Sequence, residues 1–232
     1  RSSDLTLDTS FNPFEVGSKI TIVPRNFTLE TQSKPWKTKY AFLGINLCGS
    51  TLFFDGVNEK GLAGGLLFLK ACTWDKKENI EKQGLIAINS GEIVTWILSN
   101  FESVSDIKNN ISKVVVTSDD IPSLGELGKG NPITAHYTFT DKMGESVVLE
   151  PTNHGHFRVF DNTVGVMAND PTFDWHMTNL ANYLQVQGFN KQQNHLNSKT
   201  VITPISNGTG LLGLPGDYTS PSRFVRVAYL RN

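Results

Sequence analysis

The chain reads as an α+β protein built on antiparallel sheets, and three observations carry that reading. Short runs rich in β-branched and aromatic residues fill the first third, two stretches with apolar residues three and four apart follow, and a second series of short runs then returns. No repeat and no Pro/Gly/Ser-rich linker divides the 232 residues, so one layered domain over 1–232 is expected.

In the first third, strands are expected at 19–24, 40–47, 51–55 and 62–69, each bounded by Gly, Asn or Pro. A helix comes next, with Ser90 as its cap, Glu92 at the positive end of its dipole, and Ile93, Ile97 and Leu98 on its apolar face. A second helix follows at once, because Val104, Ile107, Ile111 and Val114 fall on one side of a helical repeat. Residues 133–166 read as a meander of about four strands, with turn chemistry at 141–144, 152–155 and 161–163. Alternation places Ala135, Tyr137 and Phe139 on one face of its first strand and His136, Thr138 and Thr140 on the other. Residues 173–185 look helical, with Trp175, Leu180 and Leu184 available for packing, and the Gln/Asn-rich stretch 188–206 reads as loop.

Charge and hydropathy narrow the partners. Twenty-one basic and 22 acidic residues leave a net charge of −1, without the basic footprint that nucleic acid or anionic lipid requires. A small-molecule partner is expected instead. The longest near-apolar run, 61–69, is far short of the ~18 residues of a spanning helix. The opening RSSDLTLDTS is polar and unlike a secretory leader. Cys48 and Cys72 lie among apolar neighbours and read as two buried thiols rather than a bridge. Asn-x-Ser/Thr triplets at Asn26, Asn110 and Asn207 are common by chance and decide nothing.

Several local signals fail on context. Residues 208–213, GTGLLG, have dinucleotide-loop spacing, but Pro215 falls where the helix should run and no acidic residue follows ~20 positions on. A Gly-rich loop shaping a site is the preferred use. His154 and His156 flank Gly155 on a turn and lack the further ligands of a zinc site. His136, His176 and His195 have no nucleophile signature beside them, so packing or surface hydrogen bonding is the preferred reading for each. No cofactor and no metal is called for.

Six segments in order nevertheless carry a specific likeness: RSSD at the start, IVPRNF at 22–27, DGVNEKGL at 55–62, HYTFTDKMGESVVLEP at 136–151, GVMANDPTFDWHMTNL at 165–180 and GLPGDYTSPSRFVRVAY at 213–229. Over essentially the whole chain, this resembles the choloylglycine hydrolase family, which includes bile salt hydrolases and penicillin V acylases. The resemblance implies a four-layer αββα sandwich of the N-terminal-nucleophile hydrolase type, with antiparallel sheets between helix layers. It also implies hydrolysis of a non-peptide amide C–N bond by an N-terminal Cys whose own α-amine is the base. A free α-amine titrates near ~7.7–8.0, so it can take the thiol proton and later return one to the leaving amine.

Residue by residue, Arg1 and Asp4 match the family's Arg and Asp beside the nucleophile. A guanidinium favours the thiolate and a carboxylate can orient the amine. Asn169 matches the oxyanion-hole asparagine, whose side-chain amide donates to the developing O⁻. Arg223 matches the second arginine of the site. Phe68 stands where a backbone N–H is the other oxyanion donor. Bile salt hydrolases tend to have Asn there and penicillin V acylases Tyr, so Phe68 leaves the substrate open between conjugated bile salts and penicillin V. Singly, each of these residues also suits a turn, a cap, a core or a solvated surface.

The sequence also departs from the family at both ends, the match stopping at RVAYLRN, 226–232, beyond which the family carries further sheet strands. The nucleophile belongs upstream of Arg1, and Cys48 and Cys72 do not match its motif position. The chain therefore reads as an internal portion of a longer protein. The alternatives are a homologue that lacks the nucleophile and only binds acylated amphiphiles, and an acylase for other N-acyl compounds such as acyl homoserine lactones. Segments 66–73 and 119–131 are the suspected pocket loops. The resemblance further implies a homo-oligomer, a tetramer, and the cytoplasm of a bacterial cell is the expected compartment.

Overall fold

The computed structural model describes residues 17–47, 49–121, 129–130 and 132–232. It divides into two compact units, one ending at Thr163 and one spanning Val164–Asn232.

The first unit runs β1 (Ile20–Val23), β2 (Thr28–Leu29), β3 (Trp36–Lys37), β4 (Phe42–Asn46), β5 (Phe53–Asn58), β6 (Ala63–Phe68), α1 (Lys77–Lys82), β7 (Ile86–Asn89), α2 (Ile93–Asn100), α3 (Val104–Asn110), β8 (Val114–Thr117), β9 (Ala135–Thr140), β10 (Ser146–Asn153) and β11 (His156–Asp161). Among the described residues, nine strands form one sheet in the order β1-β4-β5-β6-β9-β10-β11-β8-β7, while β2 and β3 make a small separate ribbon. Every pairing in the large sheet is antiparallel except β7 with β8. That exception has a cause: α2 and α3 lie between the two strands in sequence, and a helical crossover returns the chain in the same direction. The antiparallel α+β expectation stands.

The β5–β6 turn shows how the chain closes this sheet. Within DGVNEKGL, Asn58 is buried, and its Oδ1 accepts from the backbone N–H of Lys60 (3.0 Å) and of Leu62 (3.1 Å). Its Nδ2 donates to the carbonyls of Leu98 (2.9 Å) and Phe101 (2.7 Å), where α2 ends. One side chain thus satisfies the turn and two terminal helix carbonyls that would otherwise be buried without partners. A row of small residues makes the helix contact possible. Gly44 pairs with Gly56, and Gly56 with Gly64. A Cβ at Gly56 would stand 2.9 Å from Leu98 Cδ1, and one at Gly64 only 2.1 Å from Phe139 Cδ1.

Ile93, Val94, Ile97 and Leu98 of α2 and Val104 and Ile107 of α3 are buried with Tyr137 and Phe139 in one core. Each such side chain contributes about 1.5–3 kcal/mol by leaving water. Alternation on β9 holds for the Tyr137 face, yet His136 on the opposite face is also buried, with Nδ1 3.1 Å from Glu150 Oε1 on β10. Cys72 is buried, its Sγ–H donating to the Ala135 carbonyl (3.2 Å), whereas Cys48 lies outside the described residues.

Several expectations are corrected in the first unit. Val114 opens β8 instead of closing α3, since the chain tightens into a 3-10 turn at Ile111–Lys113. Asn89, not Ser90, caps the α2 region, its Oδ1 accepting from Gly91 N (3.0 Å). Glu92 is buried and accepts from the N–H groups of Gln32 (2.6 Å) and Ser33 (3.1 Å) and from the Ser33 hydroxyl. Burial raises its pKa while those donors oppose the rise. The meander has three strands, and 163–166 is not a fourth.

The second unit contains α4 (Phe173–Leu180), the hairpin β12 (Asn194–Asn197) with β13 (Thr200–Ile202), and α5 (Ser220–Arg231). The hairpin replaces the loop expected over 188–206. On α4, Phe173 and His176 are the buried residues, while Trp175 is largely exposed and Leu184 lies beyond the helix, also exposed. Phe173, His176 and Phe224 of α5 form an aromatic cluster, with the His176 ring stacked on Phe224 at 4.7 Å and 10°. No described helix is long and apolar enough to cross a membrane.

Candidate active site

Arg1 and Asp4 lie outside the described residues. The other expected site residues, Phe68, Asn169 and Arg223, are described, and the strongest geometry belongs to the second unit. It is assembled by the two ends of α5 and the first turns of α4.

Asp217 organises the entry to α5. Its Oδ1 accepts from Thr219 N–H (2.9 Å) and Thr219 Oγ1 (2.5 Å), and its Oδ2 accepts from Ser222 Oγ (2.7 Å). Those hydrogen bonds, the Ser222 one foremost, hold its carboxyl down at about 2. Thr219 occupies the N-cap without capping the helix through its side chain, and Pro sits in the first turn, so Asp217 supplies the missing anchor. Arg226 draws in the same loop by donating to the carbonyls of Pro215 (2.8 Å) and Asp217 (2.5 Å).

Arg223, one turn into α5, donates from Nη1 to the Tyr218 carbonyl (2.9 Å) and from Nη2 to Asn169 Oδ1 (2.7 Å). A guanidinium can only donate, so it must face the amide oxygen, and this fixes the Asn169 flip. The Asn169 Nδ2 is left turned away from Arg223 as a donor. The Asn169 main chain is held equally firmly: its carbonyl accepts from Ser220 Oγ (2.7 Å) and from His176 Nε2 (2.8 Å). At the far end of α5, Arg231 and Asn232 donate to the carbonyls of Gly165 and Val164, tying down the start of the segment that carries Asn169.

Phe68 ends β6 and is 51% exposed. The donation of Leu69 N–H to the Thr134 carbonyl (3.2 Å) sets the ladder phase, so the Phe68 N–H points away from β9 toward the β5 side. The β5–β6 register ends at Asp55↔Gly65, three residues short of Phe68. The strand ladder therefore does not use this N–H, as an available backbone donor requires.

The family model described as linear amide C–N hydrolases, choloylglycine hydrolase family, matches residues 5–232. The chain belongs to that family. A bile salt hydrolase/transferase of Clostridium perfringens is 35% identical over 237 residues, 99% of this chain and 67% of the relative. The crystal structure of an arginine-to-leucine variant of the conjugated bile acid hydrolase from the same species superposes with a TM-score of 0.80 at 38% identity, over 97% of this chain and 65% of that one. A penicillin V acylase of Pectobacterium atrosepticum is a more distant relative, 29% identical over 213 residues, 86% of this chain and 47% of its own. The chain spans about two thirds of the length of the curated bile salt hydrolases it matches. The fold is accordingly of the N-terminal-nucleophile hydrolase type.

Against this family pattern, Arg223 and Asn169 are joined, 54 residues apart in sequence. Reasoning from sequence missed His176, Ser220 and Asp217, although all three lie in segments that carry the likeness. The signal available was the position of Ser and Asp just ahead of a helix entry at Pro221, a pattern typical of helix starts. His195 is exposed beside Gln193, and His154 is an exposed turn residue, in keeping with their surface readings. The GTGLLG segment is loop, and the next helix is α5 at Ser220, so the dinucleotide arrangement is not formed.

Proposed function

We propose that this protein hydrolyses the non-peptide amide C–N bond of N-acyl compounds, with conjugated bile salts as the substrate class and penicillin V as the alternative. The observation that carries the proposal is the Arg223–Asn169 contact, which orients an amide N–H as a donor within a chain of this family. Identity with bile salt hydrolases supports bile salts ahead of penicillin V.

In the proposed reaction, an N-terminal Cys thiolate upstream of Arg1 adds to the amide carbon, and the C=O pair moves onto oxygen. Asn169 Nδ2 donates to that oxyanion, and the Phe68 N–H is the second donor on the family pattern. Collapse expels the amine with a proton from the cysteine's own ammonium, and water then hydrolyses the thioester. Arg1 favours the thiolate and Asp4 orients the α-amine. No step calls for a metal or cofactor.

We assign residues 1–232 to one hydrolase domain, since the family model matches 5–232 of them. Exposed Leu196, Val201 and Ile202 on the β12–β13 hairpin support assembly into a homo-oligomer, a tetramer by family likeness. The proposed compartment is the bacterial cytoplasm.

The test is amine release from glycine- and taurine-conjugated bile acids and from penicillin V by the full-length protein, its first residue established by intact mass. An N-terminal Cys with turnover supports the proposal. No N-terminal Cys and no turnover on any of these amides refutes it and leaves a protein that binds acylated amphiphiles.

A further inference from the structure

We infer that His176 is a positioning residue for amide hydrolysis, acting through the main chain of Asn169; the inference rests on the function proposed above. His176 is fully buried on α4, and a buried imidazole needs a reason beyond filling space, because its ring nitrogens lose water. Its Nε2 lies 2.8 Å from the Asn169 carbonyl. A carbonyl only accepts, so Nε2 carries the proton and the ring is a donor at that atom.

The ring cannot easily turn. It is stacked on Phe224 at 4.7 Å and 10°, and Trp175 meets its edge at 5.7 Å and 82°. Phe224 is the neighbour of Arg223 on α5. The helix that sends the guanidinium to Asn169 Oδ1 therefore also sets the plane of the imidazole that grips the Asn169 carbonyl. With Ser220 Oγ as the second donor to that carbonyl, Asn169 is held at three points by two helices. Fixing the peptide fixes the Cα–Cβ direction, and so where Nδ2 aims before substrate arrives. A donor contributes to the barrier only when it is already in place, so this clamp acts on kcat and hardly on KM.

The experiment compares three variants of the full-length protein on one bile-salt substrate, with rates normalised to native enzyme by titration of the N-terminal thiol. His176→Phe keeps an aromatic ring against Phe224 but removes the donor; His176→Gln returns an amide N–H at similar reach without the ring. Ser220→Ala removes the other donor and leaves the core untouched. Loss of one such hydrogen bond is expected to lower kcat about tenfold in His176→Phe, with KM within about twofold. His176→Gln should recover most of the loss, and Ser220→Ala should show the same kcat-only pattern at about three- to tenfold. A role in packing alone would make His176→Gln the worse variant, lower Tm, and leave kcat per native molecule unchanged; that result overturns the inference. If His176→Phe does not fold, Ser220→Ala decides, and unchanged kcat there overturns it. Wild-type protein without turnover refutes the proposed function, and this inference with it.

Discussion

Asn169→Asp tests the oxyanion assignment most directly, because it replaces one side-chain atom and leaves every described contact of the residue in place. The Oδ1 that accepts from Arg223 at 2.7 Å remains, and so does the carbonyl held by Ser220 and His176. What disappears is the Nδ2–H, the only side-chain donor. Removing one preorganised oxyanion donor costs about 2.7–4 kcal/mol, or about 10²–10³ in kcat. A carboxylate oxygen facing the developing O⁻ adds repulsion, so the loss belongs at the upper end of that range. Stability should change little, since a part-exposed carboxylate–guanidinium pair contributes at most about 1 kcal/mol. Steady-state amine release and a urea titration, run on the same preparations, read both quantities. A kcat within tenfold of wild type in a folded Asn169→Asp protein would refute the role of this amide.

Three further outcomes follow from the rest of the structure. Gly64→Ala places a Cβ 2.1 Å from Phe139 Cδ1 and 2.5 Å from the Thr138 carbonyl, so urea denaturation should show a loss of about 1–3 kcal/mol. Leu98→Ala empties a fully buried site over Gly56 and should cost about 2–5 kcal/mol in the same assay. Asp217 has a folded-state pKa lowered from 3.8 to about 2, so its contribution is present above pH ~4 and fades as pH falls toward 2; thermal melts of Asp217→Asn should lose that acid-side slope, and an unchanged slope would dismiss the anchoring role of this carboxylate.

The sequence alone determined the local elements whose information is itself local. The strands β1, β4, β5, β6, β9, β10 and β11, the cores of α2, α3 and α4, and the antiparallel α+β class were legible because period-two and helical apolar patterns reflect which face is buried. Family likeness pointed to Asn169 and Arg223 as the proposed site residues, and they meet in the structure. Short or polar elements were not legible: β7 and β8 are four-residue strands next to helices, β12 and β13 are exposed along their length, and α5 begins in a Gly/Pro-rich stretch that reads as loop. Tertiary structure alone decided which hydrogen bonds the polar groups make. Burial obliges a buried polar group to find a partner, and the partner is set by the fold rather than by its neighbours in sequence. For that reason Glu92 binds the 32–33 backbone instead of serving the helix dipole, Asn58 holds the end of α2, and His176, read as packing or surface hydrogen bonding, grips the carbonyl of Asn169.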